Sequence, residues 1–432
     1  MHRIIAFLKD TPLPKMAKIR QDFPAVSLPD SASSLQKALD TCRASDSVLP
    51  GMRVAVTVGS RGMAELPLLV RTLVQWLYGK GATPFIVPAM GSHGGATAEG
   101  QKAVLASLGV TEDSTGCPVL SSMETGLVGT LDNGMQVEMD KHALSADGII
   151  LFNRIKPHNS FRFSVESGLT KMLAIGLGKQ SGADQCHAWG FEHLGPIMLQ
   201  MARMKLERCK ILMAVGTMEN AYDRLADIVA FTPQEMIARE AEALQYAKAS
   251  MPRLMLEPLD VLIVDQSGKE FSGGGMDANI IGISAGGWRM SEIEIKRIAL
   301  LRLSAHSLGN AIGMGLAHVI TQKFYDSIDF AATYANVLTS KLIAASRMPT
   351  VMPSDRTAIQ AAVKTSTPQD MAKVRMMRIP NTLHLHEAYI SESLLAEAAR
   401  EPGIAILSEA LPMGFGREGT LTDEWGFAGL AG

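Results

Sequence analysis

The sequence predicts an α/β fold built in more than one unit, and three observations carry that expectation. From Arg53 onward, short β-rich runs alternate with amphipathic stretches of helical period, the order that makes a mostly parallel sheet covered by helices. Pro252 and Pro258 interrupt this alternation and 259–264 restarts it. At 432 residues the chain is also too long for one core of ordinary size. The expected boundary separates 1–255 from 256–432, with the C-terminal tail packing back on the first unit.

Taken in order, Arg53–Val58 (RVAVTV) reads as a buried strand, and 64–78 as a helix with Leu66, Leu69, Leu73 and Leu77 on one face. Residues 84–87 form the next strand and 98–108 the next helix. Asp132-Asn133-Gly134, set between alternating residues of 130–140, signals a hairpin. Strands are expected at 148–155 and 209–215. Thr232-Pro233-Gln234-Glu235 supplies a cap, a proline at the first helical position and a reciprocal carboxylate, so 233–250 reads as a helix. In the second unit 259–264 is a strand, Ser291-Glu292-Ile293-Glu294 caps a helix, 330–346 is another helix, and 374–379 is a strand. From Ser391 the tail reads as helix, strand (404–407) and a Gly-rich end.

Composition narrows the function classes. With 47% hydrophobic and 19% charged residues, the chain has enough apolar surface to fold. Forty-one basic residues against 43 acidic ones form no basic arm or stripe, which argues against nucleic acid as a partner. No apolar run approaches a membrane span, and the N-terminus lacks the apolar region of a signal peptide. Four cysteines without a CxxC pair read as reduced thiols, so a cytoplasmic setting is expected.

Polar residues cluster after three of the predicted strands, where loops of an α/β fold carry function. Val58-Gly59-Ser60-Arg61-Gly62 offers a guanidinium for a carboxylate or phosphate, or is an ordinary turn with a solvated arginine. Met90-Gly91-Ser92-His93-Gly94-Gly95-Ala96-Thr97 flanks a histidine with glycines that permit close backbone approach, although a lone loop histidine is more often structural. The densest region holds Pro157-His158, Ser167-Gly168-Leu169-Thr170-Lys171, Gly176-Leu177-Gly178-Lys179 and Cys186-His187. A dinucleotide fingerprint would need glycine at Ser181, and a Walker A loop would need glycine at Leu173, so neither is present. His384-Leu385-His386 would place two rings on one strand face, as a metal pair or simply an exposed face.

Together these loops resemble the nickel-pincer lactate racemase family. His93 and Thr97 match its Gly-x-His…Thr loop, Pro157-His158 and Ser167-Gly168-Leu169-Thr170-Lys171 match its Pro-His and Ser-Gly-x-x-Lys stretches, and His187 stands sixteen positions after Lys171. Arg61 matches an early arginine after the first βα turn. The resemblance covers about 53–187 and implies two α/β domains with the active site in the cleft between them, 1–255 binding the cofactor. It further implies a nickel-pincer nucleotide tethered to Lys171, His187 as nickel ligand, His93 and His158 as acid/base pair, and Arg61 orienting a carboxylate. Ser167, Gly168, Gly178 and Lys179 would complete the cofactor site, with Gln266 and Lys269 approaching the substrate from the second domain. The implied activity is racemisation or epimerisation of a small 2-hydroxy acid by hydride transfer, for which two near-neutral imidazoles suit the hydroxyl proton.

Two departures point to a divergent branch acting on a larger or more polar hydroxy acid. Phe161–Glu166 replaces a Gly-rich run, and Val58 stands where an acidic residue is expected. Arg162 and Glu166 belong either to the altered pocket or to a solvated turn. Trp189 and Trp288 line the pocket or sit in the core. Expected partners are the anionic hydroxy acid, the enzymes that make and load the cofactor and, at most, further copies of the chain, with neither nucleic acid nor membrane. The alternatives are a hydrolase or lyase with a metal bound directly by His93, His158 and His187, a non-catalytic anion-binding protein, and a Schiff-base role for Lys171.

Overall fold

The computed structural model describes residues 2–367 and 370–422, so the Gly-rich end expected for the tail falls largely outside them. The chain forms two compact units, one of residues 24–251 and one that joins 1–23 to 252–432. The first 23 residues therefore belong with the second unit rather than the first. The reason is strand pairing: β1 (Met16–Gln21) runs antiparallel to the strands Glu387–Ser391 and Ile404–Ile406, and Met16 also bridges Leu411. The tail to residue 422 is thus built into the second unit's own sheet.

The unit of 24–251 is a five-stranded sheet. Its strands are β2 (Arg53–Val58), β3 (Thr83–Pro88), β6 (Gly148–Arg154), β7 (Ile211–Glu219) and β8 (Leu225–Phe231), in the order β3-β2-β6-β7-β8. All neighbours are parallel except β7 and β8. Between them β4 (Thr125–Thr130) and β5 (Gln136–Asp140) form the expected hairpin. The helix Leu66–Gly79 buries Leu66, Leu69, Leu73 and Leu77 against this sheet, the four positions its spacing selects. Each such side chain contributes about 1.5–3 kcal/mol by leaving water. The Thr232–Glu235 box forms, with the helix proper at Met236–Ser250.

The other unit carries β9 (Leu259–Ser267), β10 (Ile295–Leu303), β11 (Val319–Thr321), β12 (Thr350–Met352), β13 (Met376–Ile379), β14 (Glu387–Ser391) and β15 (Ile404–Ile406). Their order is β12-β11-β10-β9-β13-β14-β1-β15, parallel from β12 to β13 and antiparallel beyond. The helix expected at Ser291–Glu294 is absent: Ser291 and Glu292 form a bend and 293–294 lead irregularly into β10, whose long pairing with β9 overrides the local capping signal. The helix expected over 330–346 stops at Ser340 and resumes as a 3₁₀ turn, Ile343–Ser346.

Candidate active site

Lys171 closes a short helix, Leu169–Lys171, that runs into a widened π-helical turn, Met172–Gly176, and then the helix Lys179–Ala188. Two buried charges hold this stretch. At its start Glu240 Oε2 accepts the Thr170 backbone N–H at 2.9 Å and the Thr170 hydroxyl, meeting donors that a helix N-terminus leaves open. A Cβ on Gly168 would lie 2.1 Å from Glu240 Oε1, so only glycine lets the carboxylate in. At the widened turn, Lys205 Nζ donates to the carbonyls of Leu173 at 2.8 Å and Ala174 at 2.9 Å. Such turns displace the regular helical pairing and recur at functional sites. Burial raises the Glu240 carboxyl to about 7 against its Thr170 hydrogen bonds, and burial lowers the Lys205 ammonium to about 7.

His158 sits on the loop after β6. Its Nε2 lies 2.8 Å from Lys171 Nζ, while its Nδ1 accepts the Ser160 backbone N–H at 3.0 Å. A backbone N–H can only donate, so Nδ1 offers a lone pair and the neutral ring carries its proton on Nε2. Burial, then the charges of Lys171, Lys156, His187 and Arg162, hold His158 well below the usual imidazole range. Burial, then Arg61, brings Lys171 down to about 8.

The His158 loop is tied by Glu166, whose side chain is fully buried rather than part of a solvated turn. Its Oε2 accepts the His158 backbone N–H at 2.8 Å and Arg162 at 3.2 Å, and its Oε1 pairs with Lys248 at 2.7 Å. Ser167 pairs backbone to backbone with Lys156, at 2.8 and 3.2 Å, which delivers Gly168 to the start of the Lys171 helix. Arg61 follows β2 on a turn pressed against the same helix: a Cβ on Gly59 would meet Asn153 Oδ1 at 2.9 Å and the Met172 sulfur at 3.4 Å. Much of Arg61 is exposed, yet burial of its guanidinium end, then Arg154, lowers its pKa. Glu219 pairs with Arg154 and accepts the Ala64 N–H at 2.7 Å, anchoring this turn.

His93 is exposed, on a loop docked to the widened turn by the Gly91 N–H, which donates to the Gly176 carbonyl at 3.0 Å. Gln101 clasps the loop through the carbonyls of Gly91 at 2.7 Å and His93 at 3.3 Å, and Thr97 caps the helix Ala98–Ser107. His187 is half-buried near the end of the Lys179–Ala188 helix. Arg61, His158, Lys171 and His187 thus share one neighbourhood, with the His93 loop attached to the helix that carries two of them.

Other expected residues do different work. Lys179 is fully buried, and its ammonium faces Pro88 O at 2.6 Å, Gln101 Oε1 at 3.0 Å and Asp140 Oδ2 at 3.0 Å. With three oxygens around its three donors it is a structural tie, not a phosphate clamp. A Cβ on Gly178 would approach Ala174 O to 2.9 Å, so this glycine serves close packing. In the other unit Gln266 is half-buried at the end of β9 and Lys269 Nζ donates to Asn336 Oδ1 at 2.7 Å. His384 and His386 lie in the loop before β14, not on a strand face; His384 pairs with Asn381 at 3.1 Å and His386 with Gln21 O at 3.0 Å. Among the described residues no three His, Cys, Asp or Glu side chains converge as a metal site, so the three-histidine alternative has no cluster to rest on. Trp189 is 46% exposed rather than in the core.

Glu240 and Lys205 were not singled out from the sequence, though a signal exists. Each stands on the buried stripe of an amphipathic helix: Glu240 in line with Met236 and Leu244, Lys205 with Leu194, Met198 and Met201. A charge on such a stripe needs a buried partner.

Residues 15–194 match the model of the lactate racemase N-terminal domain, a span that includes every expected site residue except Gln266 and Lys269. No curated protein is matched by this sequence. Among solved structures, the lactate racemase apoprotein of Thermoanaerobacterium thermosaccharolyticum is similar at 15% identity and a TM-score of 0.46, over 76% of this chain and 85% of that one. A protein of Thermotoga maritima is similar at 14% identity and a TM-score of 0.46, over 64% of this chain and 72% of that one.

Proposed function

We propose, from the match of residues 15–194 to the lactate racemase N-terminal domain, that the protein is a racemase or epimerase of a small 2-hydroxy acid using a nickel-pincer nucleotide tethered to Lys171. The family match supports racemase chemistry in broad terms. The observation that carries the finer reading is the enclosed Lys171–His158 contact at 2.8 Å, set among Arg61, Lys156, Arg162 and His187.

These residues fit the implied group: an amine whose charged form burial and Arg61 disfavour, an imidazole further along the same helical stretch for the metal, and cations for anionic groups. Bound there, the cofactor would supply an acceptor for the hydrogen that leaves C2 with its electron pair. Arg61 would hold the substrate carboxylate bidentately, and His93 and His158 would exchange the hydroxyl proton. For His158 to take a proton at Nε2, its resting proton must first move to Nδ1, which requires the Ser160 contact to open. Four free cysteines, three of them buried, support a reducing, cytoplasmic setting, and no described helix is long and apolar enough to cross a membrane. Loading would depend on the cofactor-synthesis enzymes.

The test is elemental analysis with intact-mass spectrometry on protein made alongside that pathway. Nickel and an added mass on the Lys171 peptide are expected, and Lys171→Ala should lose both together with activity. Full activity in that variant overturns the reading. Absence of nickel and adduct, in a host that loads an established racemase, would move the assignment to an anion-binding protein built on the same cations.

A further inference from the structure

The helix Phe330–Ser340 contains no Asp, Glu, Lys, Arg or His, although a surface helix ordinarily turns charged residues to solvent. Inward it buries Thr333 and Val337, and Val337 shares a small cluster with Ile312 and Ala345. Outward, Ala331, Tyr334, Ala335 and Leu338 lie three and four positions apart on one face, all exposed, Leu338 by 69%. A helix this short draws its stability from the face it packs, and here the longer side chains are on the face left to water. The apolar surface extends past the helix. Leu308, 83% exposed, adjoins Gly309, whose carbonyl accepts the Asp329 N–H at 2.9 Å. Tyr325, Phe330 and Tyr334 follow one another at ring-centroid distances of 6.0 and 5.6 Å. Ile343, on the 3₁₀ turn whose Ala345 packs with Val337, is 69% exposed, and Met348 is exposed beyond it. Leu308, Tyr325, Tyr334, Leu338, Ile343 and Met348 together present roughly 600 Å² of apolar surface, the upper limit of what a soluble monomer leaves in one patch and close to the ~800 Å² per partner of a standard interface.

Charge selects the occupant. Between Gln322 and Pro349 the charged residues are Lys323, Asp326, Asp329, Lys341 and Arg347. Asp326 and Asp329 precede the helix, Lys341 and Arg347 follow it, and all four are exposed. A surface with acids at one end and bases at the other matches itself after a half-turn, which is the self-complementarity that a twofold dimer requires. Asp329 and Lys341 are equally far from Ala335 in sequence, so pairing them between copies sets Ala335 at the axis. The same arrangement opposes the two helix dipoles favourably. We propose that this face joins two copies of the chain, with the helices Phe330–Ser340 antiparallel about a twofold axis at Ala335. The proposal uses no residue of the candidate active site and stands or falls independently of the racemase reading.

Analytical ultracentrifugation of the full chain at micromolar concentrations should show a monomer–dimer equilibrium. Leu338→Glu, at an exposed position, should keep the circular dichroism of the wild type. It should raise the dimer dissociation constant at least about a hundredfold, because twofold symmetry places the unpaired charge in the contact twice. Orientation is read by cross-linking with a short bismaleimide, taken as the excess over the wild-type chain. Ala335→Cys should link two copies. Ala331→Cys should not, since antiparallel pairing holds the two positions roughly 12 Å apart along the helices. If Leu338→Glu does not fold, the two cysteine variants decide. A wild-type monomer at every concentration overturns the proposal, as does a dimer that folded Leu338→Glu leaves intact. Failure of Ala335→Cys to link, or linking at Ala331→Cys instead, overturns the antiparallel pairing. A monomer that binds phosphatidylcholine vesicles would assign the face to a lipid surface and overturn it as well.

Discussion

Both α/β units bury matched charge, Lys179 with Asp140 in one and Asp265 with Arg378 in the other, but the unit of 24–251 also buries single charges. In the unit of 252–422, Asp265 and Arg378 meet bidentately at 2.8 and 2.6 Å and Arg302 meets Asp355 at 2.7 Å, so charge is matched by charge. In the unit of 24–251, Lys205 is buried against two neutral carbonyls and Glu240 against a helix start, each leaving its charge without a counter-ion among its hydrogen-bond partners. Matched pairs hold a fold at any ordinary pH. Buried single charges sit near their own titration points and place the backbone between them, which here is the stretch bearing Lys171. The contrast lies in those two single charges, which the unit of 24–251 holds in addition to its own matched pair of Lys179 and Asp140.

Several changes would break or sharpen that contrast. Arg378→Met strands the Asp265 carboxylate and should cost about 3–5 kcal/mol in denaturant unfolding. A loss below about 1 kcal/mol would show that this pair does little to hold its unit. Glu240→Gln comes next. Because the carboxyl is raised from 4.5 to about 7, it contributes stability below its unfolded value that is lost as pH rises through about 7. Wild-type stability relative to the variant should therefore fall across that window by on the order of 3 kcal/mol, and parallel melting temperatures would contradict the burial. Gly168→Ala drives a methyl to 2.1 Å from Glu240 Oε1, so about 1–3 kcal/mol should be lost in denaturant unfolding. The smallest effect is at Lys269→Ala, about 0.5–1.5 kcal/mol for the Asn336 hydrogen bond, while a substrate role predicts a raised KM that stability alone would not produce.

Much of the architecture was legible because it is written locally. RVAVTV and the four-leucine helix announce themselves by period, and each fills the expected place. The capping residues at Ser291–Glu294 misled because a local preference worth a kilocalorie or so yields to a nine-residue strand beside β9. The six residues of β1 carry no mark of partners nearly the whole chain away. At the site, Arg61, His158, Lys171 and His187 were found by type and order, whereas Lys179 looked the same in sequence and is locked inside the unit.

What the sequence by itself determined is which elements form and which side chains of the right chemistry follow them, since periodicity and turn residues act over a few positions. Only the tertiary structure decided the state of those side chains. Glu166 is buried by a lysine 82 positions away, Thr170 is held by a glutamate 70 positions away, and Lys179 is tied to a carbonyl 91 positions away. Desolvation and pairing set a proton's place, and both are properties of what packs around a group rather than of its neighbours in the chain.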